Sequence, residues 1–236
     1  MSNTKVAIIT GGSKGLGKEL VVDLVKEGYS IVTTARSNEE LNNLKNEISS
    51  QFNREIQTLT GDLTKKDDVF AFCEFVKEQY TSIDVIINNA GFNTTKTLTE
   101  TTEIAEMEKQ FAVHAMTPFL IYKSFVAQMK SANHGYIINI LSDQVRDRTR
   151  GGWAAYSTTK HALYGLGKVM ISEAAENGIK VTNAIIGGMN STFRNEAREE
   201  YLLPTDVASV IVQLLKIPKD IFIPEIIIYP KVYLTK

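Results

Sequence analysis

The chain is poor in cysteine, with one, Cys73, among 236 residues. A single thiol excludes an intramolecular disulfide and a thiolate metal cage, so a reducing compartment is the expected setting and Cys73 is expected in the core. An excess of charge of either sign is also missing. Lys and Arg number 26, Asp and Glu 27, for a formal net charge of −1. That balance leaves no footprint for nucleic acid or for a membrane surface. No apolar run is long enough to span a bilayer, and the opening MSNTKVAIITGG enters a strand-like segment without a signal-peptide pattern. A cytoplasmic location is the expectation. Repeats, low-complexity tracts and Pro- or Gly-rich linkers are absent, so nothing marks a boundary between domains.

What is present is an ordinary globular composition, 43% hydrophobic and 22% charged, in a chain long enough to bury a substantial core. VAIIT (6–10) gives way to glycines and then to KELVVDLVKEGY, where Leu20, Val21, Leu24 and Val25 recur at helical spacing. The unit returns. SIVTTA (30–35) precedes a helix near Asn38, EIQTLT (55–60) one near Lys65, and DVIINNA (84–90) leads by a loop into one long helix ending near Lys130. GYIINIL (135–141), a helix carrying Tyr156, IKVTNAII (179–186), a helix after Pro204 and a strand in IPEIIIYP (223–230) complete the series. The alternation predicts an α/β fold, a doubly wound, mostly parallel sheet of seven strands with helices on both faces, in one domain over 1–236. Ligands of such sheets lie beyond the strands' carboxyl ends, which draws attention to 142–153 and 187–203.

TGGSKGLG (10–17) follows the first strand and opens the first helix. Gly11, Gly15 and Gly17 permit a tight turn and close backbone approach, while helix amides face an anion such as a dinucleotide pyrophosphate. Leu16 lies in the same turn. The end of the second strand discriminates the two nicotinamide cofactors, because an acid there accepts from a ribose hydroxyl and repels a 2′-phosphate. Here the stretch is TTARSN, with Arg36 and no acid. Arg36, Lys14 and Ser13 suit a 2′-phosphate, which favours NADP(H) over NAD(H). Taken singly, the two cations are equally readable as solvated loop charges.

The cradle spacing, NNAG (88–91), a serine ending the fifth strand and YSTTK (156–160) occur in the order found in classical short-chain dehydrogenases/reductases, a family this sequence resembles over its whole length. The resemblance implies a Rossmann-type fold in which Asp62 and Leu63 flank the adenine and Asn89, Ala90 and Gly91 shape the cofactor floor. Asp62 is also readable as a turn or helix-capping residue. The resemblance matches Tyr156 and Lys160 to the family's Y-x-x-x-K pair and Ser142 to its catalytic serine, although Ser142 lies one residue farther from the tyrosine than in some members. Asp143 therefore draws interest. A free tyrosine has a pKa near roughly 10, and a neighbouring ammonium and an oxidised nicotinamide would stabilise the tyrosinate. Tyr156 then serves as proton donor to a carbonyl, Ser142 hydrogen-bonds the oxygen, and Lys160 orients the nicotinamide ribose. The implied activity is an NADPH-dependent carbonyl reductase, or the reverse alcohol dehydrogenase. The competing expectation is a non-catalytic NADP(H)-binding regulatory protein.

Several positions depart from the family pattern. In QFAVHAMTPFL (110–120), His114 stands where the family usually has an asparagine that helps a water relay protons to the lysine. Histidine could titrate as a relay, leave that role to the backbone, or be a buried, neutral, hydrogen-bonded residue. In IIGGMNST (185–192), Gly187 replaces a usual proline, Gly188 is kept, and Thr192 matches a residue that contacts the nicotinamide amide. The missing proline is expected to relax the turn. The short connection from Gly188 to Pro204, a substrate-lid segment near 187–203, predicts an open pocket mouth suited to broad or bulky substrates. Arg146, Arg148, Arg150 and Trp153 between the candidate catalytic residues suit an anionic or aromatic substrate, or form a solvated loop around a packed tryptophan. The long helices over 101–130 and 155–177 and the apolar C-terminal strand resemble family surfaces used in homodimers and homotetramers. The partner expected at the site is a small carbonyl or alcohol.

Overall fold

In β1 (Val6–Thr10) every residue is buried, as a strand covered on both faces requires. The computed structural model describes residues 4–93, 96–146, 148–191 and 197–234. Six further strands, β2 (Ser30–Ala35), β3 (Gln57–Thr60), β4 (Val85–Asn88), β5 (Gly135–Ser142), β6 (Ile179–Ile186) and β7 (Glu225–Ile228), join it in one parallel sheet of order β3-β2-β1-β4-β5-β6-β7. The predicted α/β, doubly wound, seven-stranded fold is therefore observed. Because side chains alternate across a strand, Ala7 and Ile9 enter one core and Val6 and Ile8 the other. The first core is completed by α1 (Gly15–Lys26), α2 (Asn38–Phe52) and α7 (Pro204–Leu214). The second is completed by α3 (Lys66–Gln79), α5 (Thr117–Ala132) and α6 (Ala154–Ala174). Cys73 is fully buried there. The strand order reverses between β1 and β4, which opens a crevice at their carboxyl ends.

The single long helix expected up to Lys130 is interrupted. It comprises α4 (Ile104–Phe111), a π-helical turn over Ala112–Met116, and α5. The cause is Pro118 in the first turn of α5. Proline has no N–H to give the carbonyl of His114, and the Thr117 N–H instead reaches back to the Ala112 carbonyl. Among the described residues no helix is long and apolar enough to cross a membrane.

The central strands are tied by a ladder of buried amides that the sequence reading did not single out. Asn88, Asn139 and Asn183 lie in register on β4, β5 and β6. Asn88 Nδ2 donates to Asn139 Oδ1 at 2.8 Å, and Asn139 Nδ2 donates to Asn183 Oδ1 at 3.1 Å. A register slip would strand these groups in the core, so the ladder fixes the alignment of the strands that end at the crevice. Gly167 of α6 lies against it, and a Cβ there would overlap Asn183 Oδ1 and stand 2.8 Å from Asn139 Nδ2. Gly167→Ala is therefore expected to destabilise the fold by about 2 kcal/mol in urea unfolding. A loss below about 0.5 kcal/mol, the range of ordinary surface substitutions, would contradict this packing.

Candidate active site

A cleft of about 740 Å³ runs along the carboxyl ends of the strands, from the turn after β1 to the loop after β6. Every described residue expected at the site lines it except His114, which lies behind its wall. Thr192 lies outside the described residues. At one end Thr10 leads into Gly11 and Gly15, both at positive φ (69° and 56°). A Cβ on Gly17 would overlap the Gly11 carbonyl and stand 2.6 Å from Asn89 Nδ2, so glycine is required there by close approach. Gly12, which the sequence reading passed over, is held by its N–H to Thr33 Oγ1 at 3.1 Å. Asn89 donates from Nδ2 to the carbonyls of Thr10 (2.9 Å) and Gly11 (3.1 Å), bracing the turn from β4.

The N-cap of α1, Lys14, makes no side-chain capping bond. The helix amides are thus left for an anion, and Gly15 offers open space where a side chain would stand. These features fit a dinucleotide pyrophosphate. Asp62 accepts from the N–H and Oγ1 of Thr64 at 3.1 and 2.9 Å, making a turn rather than a helix cap. Asp62 and Leu63 form the cleft wall beyond β3. Arg36 opens onto the same end. The stretch TTARSN itself holds no acid, but the carboxylate of Glu40 reaches into this end from the first turn of α2. Its Oε2 accepts from Ser13 Oγ at 2.7 Å and its Oε1 from Lys14 Nζ at 3.2 Å. The sequence signal was its place three residues after Ser37, the spacing of a capping box.

At the other end stand Ser142, which ends β5, and Tyr156 and Lys160 on α6. Their relative exposures are 8%, 8% and 4%, so the group is shielded from bulk water while lining the cleft. Lys160 Nζ donates to the Ile140 carbonyl at 2.8 Å and lies 5.9 Å from the centre of the Tyr156 ring. Burial lowers the Lys160 pKa from 10.5 to about 8. Tyr156 is held edge-on between Trp153 and His114, with ring centres 5.6 and 5.4 Å away.

His114 projects from the π-helical turn and is fully buried. Its Nε2 accepts the Phe92 N–H at 3.1 Å, and Nδ1 lies 2.8 Å from Thr159 Oγ1. Thr159 Oγ1 itself donates to the Ala155 carbonyl at 2.8 Å, so the proton belongs on Nδ1 and the ring is neutral. Burial first, and the Lys160 charge second, hold its pKa well below 6.5. Both nitrogens are committed, as in the packed, hydrogen-bonded reading of this residue. Gly91 makes room for it, since a Cβ there would stand 3.1 Å from Nε2 and 3.6 Å from Lys160 Nζ.

Ser142 Oγ donates to Asp143 Oδ1 at 3.0 Å. Buried Asp143 also accepts from the hydroxyl of Tyr233 (3.0 Å) and from Arg150 Nη2 (3.4 Å). The Tyr233 hydroxyl in turn accepts from the Gly188 N–H at 3.0 Å. The C-terminal segment thus reaches the serine through an aspartate, a link across 90 residues that local sequence does not encode. The four residues of the intervening loop divide by role. Arg146 pairs with Glu225 and Arg148 stacks on Tyr233 at 3.7 Å, which fastens the loop, whereas Arg150 and Trp153 line the cleft. Gly187 packs closely against the C-terminal segment, where a Cβ would stand 2.8 Å from Pro230 Cδ.

The profile of the short chain dehydrogenase family matches residues 5–202. An uncharacterised oxidoreductase of Staphylococcus aureus is 26% identical over 229 residues, covering 96% of this chain and 97% of that protein. Among solved structures, an alcohol dehydrogenase of the archaeon Thermococcus sibiricus complexed with 5-hydroxy-NADP is 26% identical with a TM-score of 0.88, covering 97% of each chain. A metagenomic short-chain oxidoreductase in complex with NADP is 28% identical with a TM-score of 0.85, covering 96% of this chain and 97% of that one.

The Lys160 shift carries a pH signature. Its folded pKa is the lower one, so burying the cation costs stability in full below about 8, and the cost disappears as pH rises to 10.5. The stability of Lys160→Met relative to the native chain is therefore expected to be greatest at neutral pH and to fall by ~3 kcal/mol towards high pH in urea unfolding. A difference that does not move with pH would contradict a buried ammonium.

Proposed function

The chain belongs to the short-chain dehydrogenase family, and from that premise we propose that it is an NADP(H)-dependent oxidoreductase that reduces a ketone or aldehyde to an alcohol, or runs the reverse reaction. The observation that carries this reading is the convergence of Ser142, Tyr156 and Lys160 at the end of the cleft opposite the glycine cradle. Bound NADPH supplies the hydride. The cradle amides, Gly11 and Gly17 bind and orient the dinucleotide, and Arg36 supports the preference for NADP(H) over NAD(H). Gly188, at the loop after β6, and Thr192 are assigned to the nicotinamide side.

Tyr156 gives its hydroxyl proton to the substrate oxygen, with Lys160 favouring the resulting tyrosinate through its charge. Ser142 turns its hydroxyl from Asp143 to that same oxygen, and Asp143 holds it ready between turnovers. Proton supply to Lys160 is assigned to backbone carbonyls at the π-helical turn. His114, neutral and doubly bonded, positions Phe92 and Tyr156 rather than titrating. The zipped ends of the 187–203 segment, where the Asn190 N–H donates to the Leu202 carbonyl and the Leu202 N–H to the Gly188 carbonyl, support a short substrate lid. The exposed apolar residues Phe111, Met116, Phe119 and Ile227 support a homodimer or homotetramer. We assign the protein to the cytoplasm.

Tyr156→Phe keeps the ring between Trp153 and His114 and removes only the hydroxyl group. NADPH-dependent reduction, followed on whichever members of a carbonyl panel the native chain turns over, is expected to fall by about a hundred-fold or more. NADPH affinity by fluorescence should stay within about two-fold, well under the ~1.4 kcal/mol that a ten-fold change represents. Unchanged turnover, or NADPH binding with no turnover by the native chain on any carbonyl, would overturn the reading.

A further inference from the structure

The carboxylate of Glu40 bonds two of the three groups that suit a 2′-phosphate, Ser13 and Lys14. A glutamate three residues after an N-cap serine ordinarily folds back to the N-cap amide. Here half of that motif forms, with the Glu40 N–H donating to Ser37 Oγ at 3.2 Å. The side chain is diverted across the crevice to Ser13 and Lys14, 27 and 26 residues earlier in the chain. Hydrogen bonding by Ser13, opposed by partial burial and aided by Lys14 and Arg36, holds the Glu40 carboxyl below the usual range, so it is an anion at neutral pH. All four residues line the adenosine end of the cleft. Among the described residues Arg36 has no ion pair. The cradle therefore carries its own counter-anion, bonded directly to Ser13 and Lys14 and acting on Arg36 only at longer range.

We propose that Glu40 is a built-in competitor of the cofactor's 2′-phosphate and sets how strongly this chain discriminates NADP(H) from NAD(H). The inference rests on the reading of the cleft as a nicotinamide-dinucleotide site. A phosphate dianion and a carboxylate repel at contact distance, and the single hydroxyl proton of Ser13 serves one acceptor, so the two anions compete at this corner of the cradle even though the Lys14 ammonium has three protons to give. NADP(H) must therefore displace Glu40 from Ser13 and compete with it for the charge of Lys14, and the Glu40 side chain, 37% exposed, has water to turn into. NAD(H), with a neutral ribose hydroxyl, leaves the carboxylate where it is and can donate to it. Arg36 favours one cofactor and Glu40 the other, and selectivity is their difference.

Glu40→Gln keeps the size and polarity and removes the charge. Calorimetry with 2′,5′-ADP and 5′-AMP, fragments that differ only by the phosphate in question, reads the effect without turnover. The variant is expected to bind 2′,5′-ADP about five-fold more tightly than the native chain, as the loss of one like charge at a half-exposed site implies. The 5′-AMP affinity should not tighten. In the Glu40→Gln background, Lys14→Ala should cost 2′,5′-ADP binding more than it does in the native chain, because the Lys14 charge is then no longer offset by the carboxylate. Unchanged or weaker 2′,5′-ADP binding by a variant with native melting temperature would overturn the proposal, as would equal tightening of both fragments. Arg36→Ala separates this from the NADP reading. If that change leaves the ratio of the two fragments unmoved, the assignment of Arg36 fails, and Glu40→Gln still decides the role of the carboxylate.

Discussion

The site depends on a buried cation. Lys160 places an ammonium where 4% of the residue is exposed, gives one proton to the Ile140 carbonyl, and has no carboxylate partner among the described residues. Such a charge is costly, and the surroundings are arranged around that cost. The neighbouring imidazole is kept neutral and bonded on both nitrogens, so it adds no second positive charge. Gly91 presents no side chain between the two groups. The ring of Tyr156 stands beside the ammonium, which favours the oxyanion that a proton-donating tyrosine becomes. The π-helical turn belongs to the same arrangement, since it carries His114 into the wall while Pro118 breaks the α-helical ladder at its carbonyl.

The two ends of the cleft are built on different principles. The cradle is made of backbone, with glycine where a Cβ would collide and helix amides that no side chain caps, and side chains from the turn after β2 and from α2 close on it. The opposite end is made of side chains held by other side chains. Ser142 rests on Asp143, Asp143 on Tyr233 and Arg150, and Tyr233 on the Gly188 amide. Tyr233 lies beyond the 5–202 span that the family profile matches, so this support for the serine comes from the C-terminal segment.

The alternation of strands and helices, the cradle, and Ser142, Tyr156 and Lys160 were legible in the sequence because each is local, a periodicity or a fixed spacing. What was not legible is set by the order of strands in the sheet. Glu40 meets Ser13 and Lys14 only because β2 lies beside β1, and the amide ladder of Asn88, Asn139 and Asn183 exists only because β4, β5 and β6 are neighbours. The broken helix had a local signal in Pro118, but a proline near a helix start reads equally as an ordinary first-turn residue. The character of His114 could not be read from its neighbours in the chain, because its partners Phe92 and Thr159 lie 22 and 45 residues away.

The buried cation can be observed directly by following the Nζ resonance of Lys160 in the 15N-lysine-labelled chain as pH is raised, with Lys160→Met to assign the signal. A midpoint near 8, well below the ordinary 10.5, is the expected result. A midpoint at 10.5 would mean that the ammonium is hydrated or answered by an anion, and the reading of the floor beneath Tyr156 as a dry, singly charged site would be contradicted.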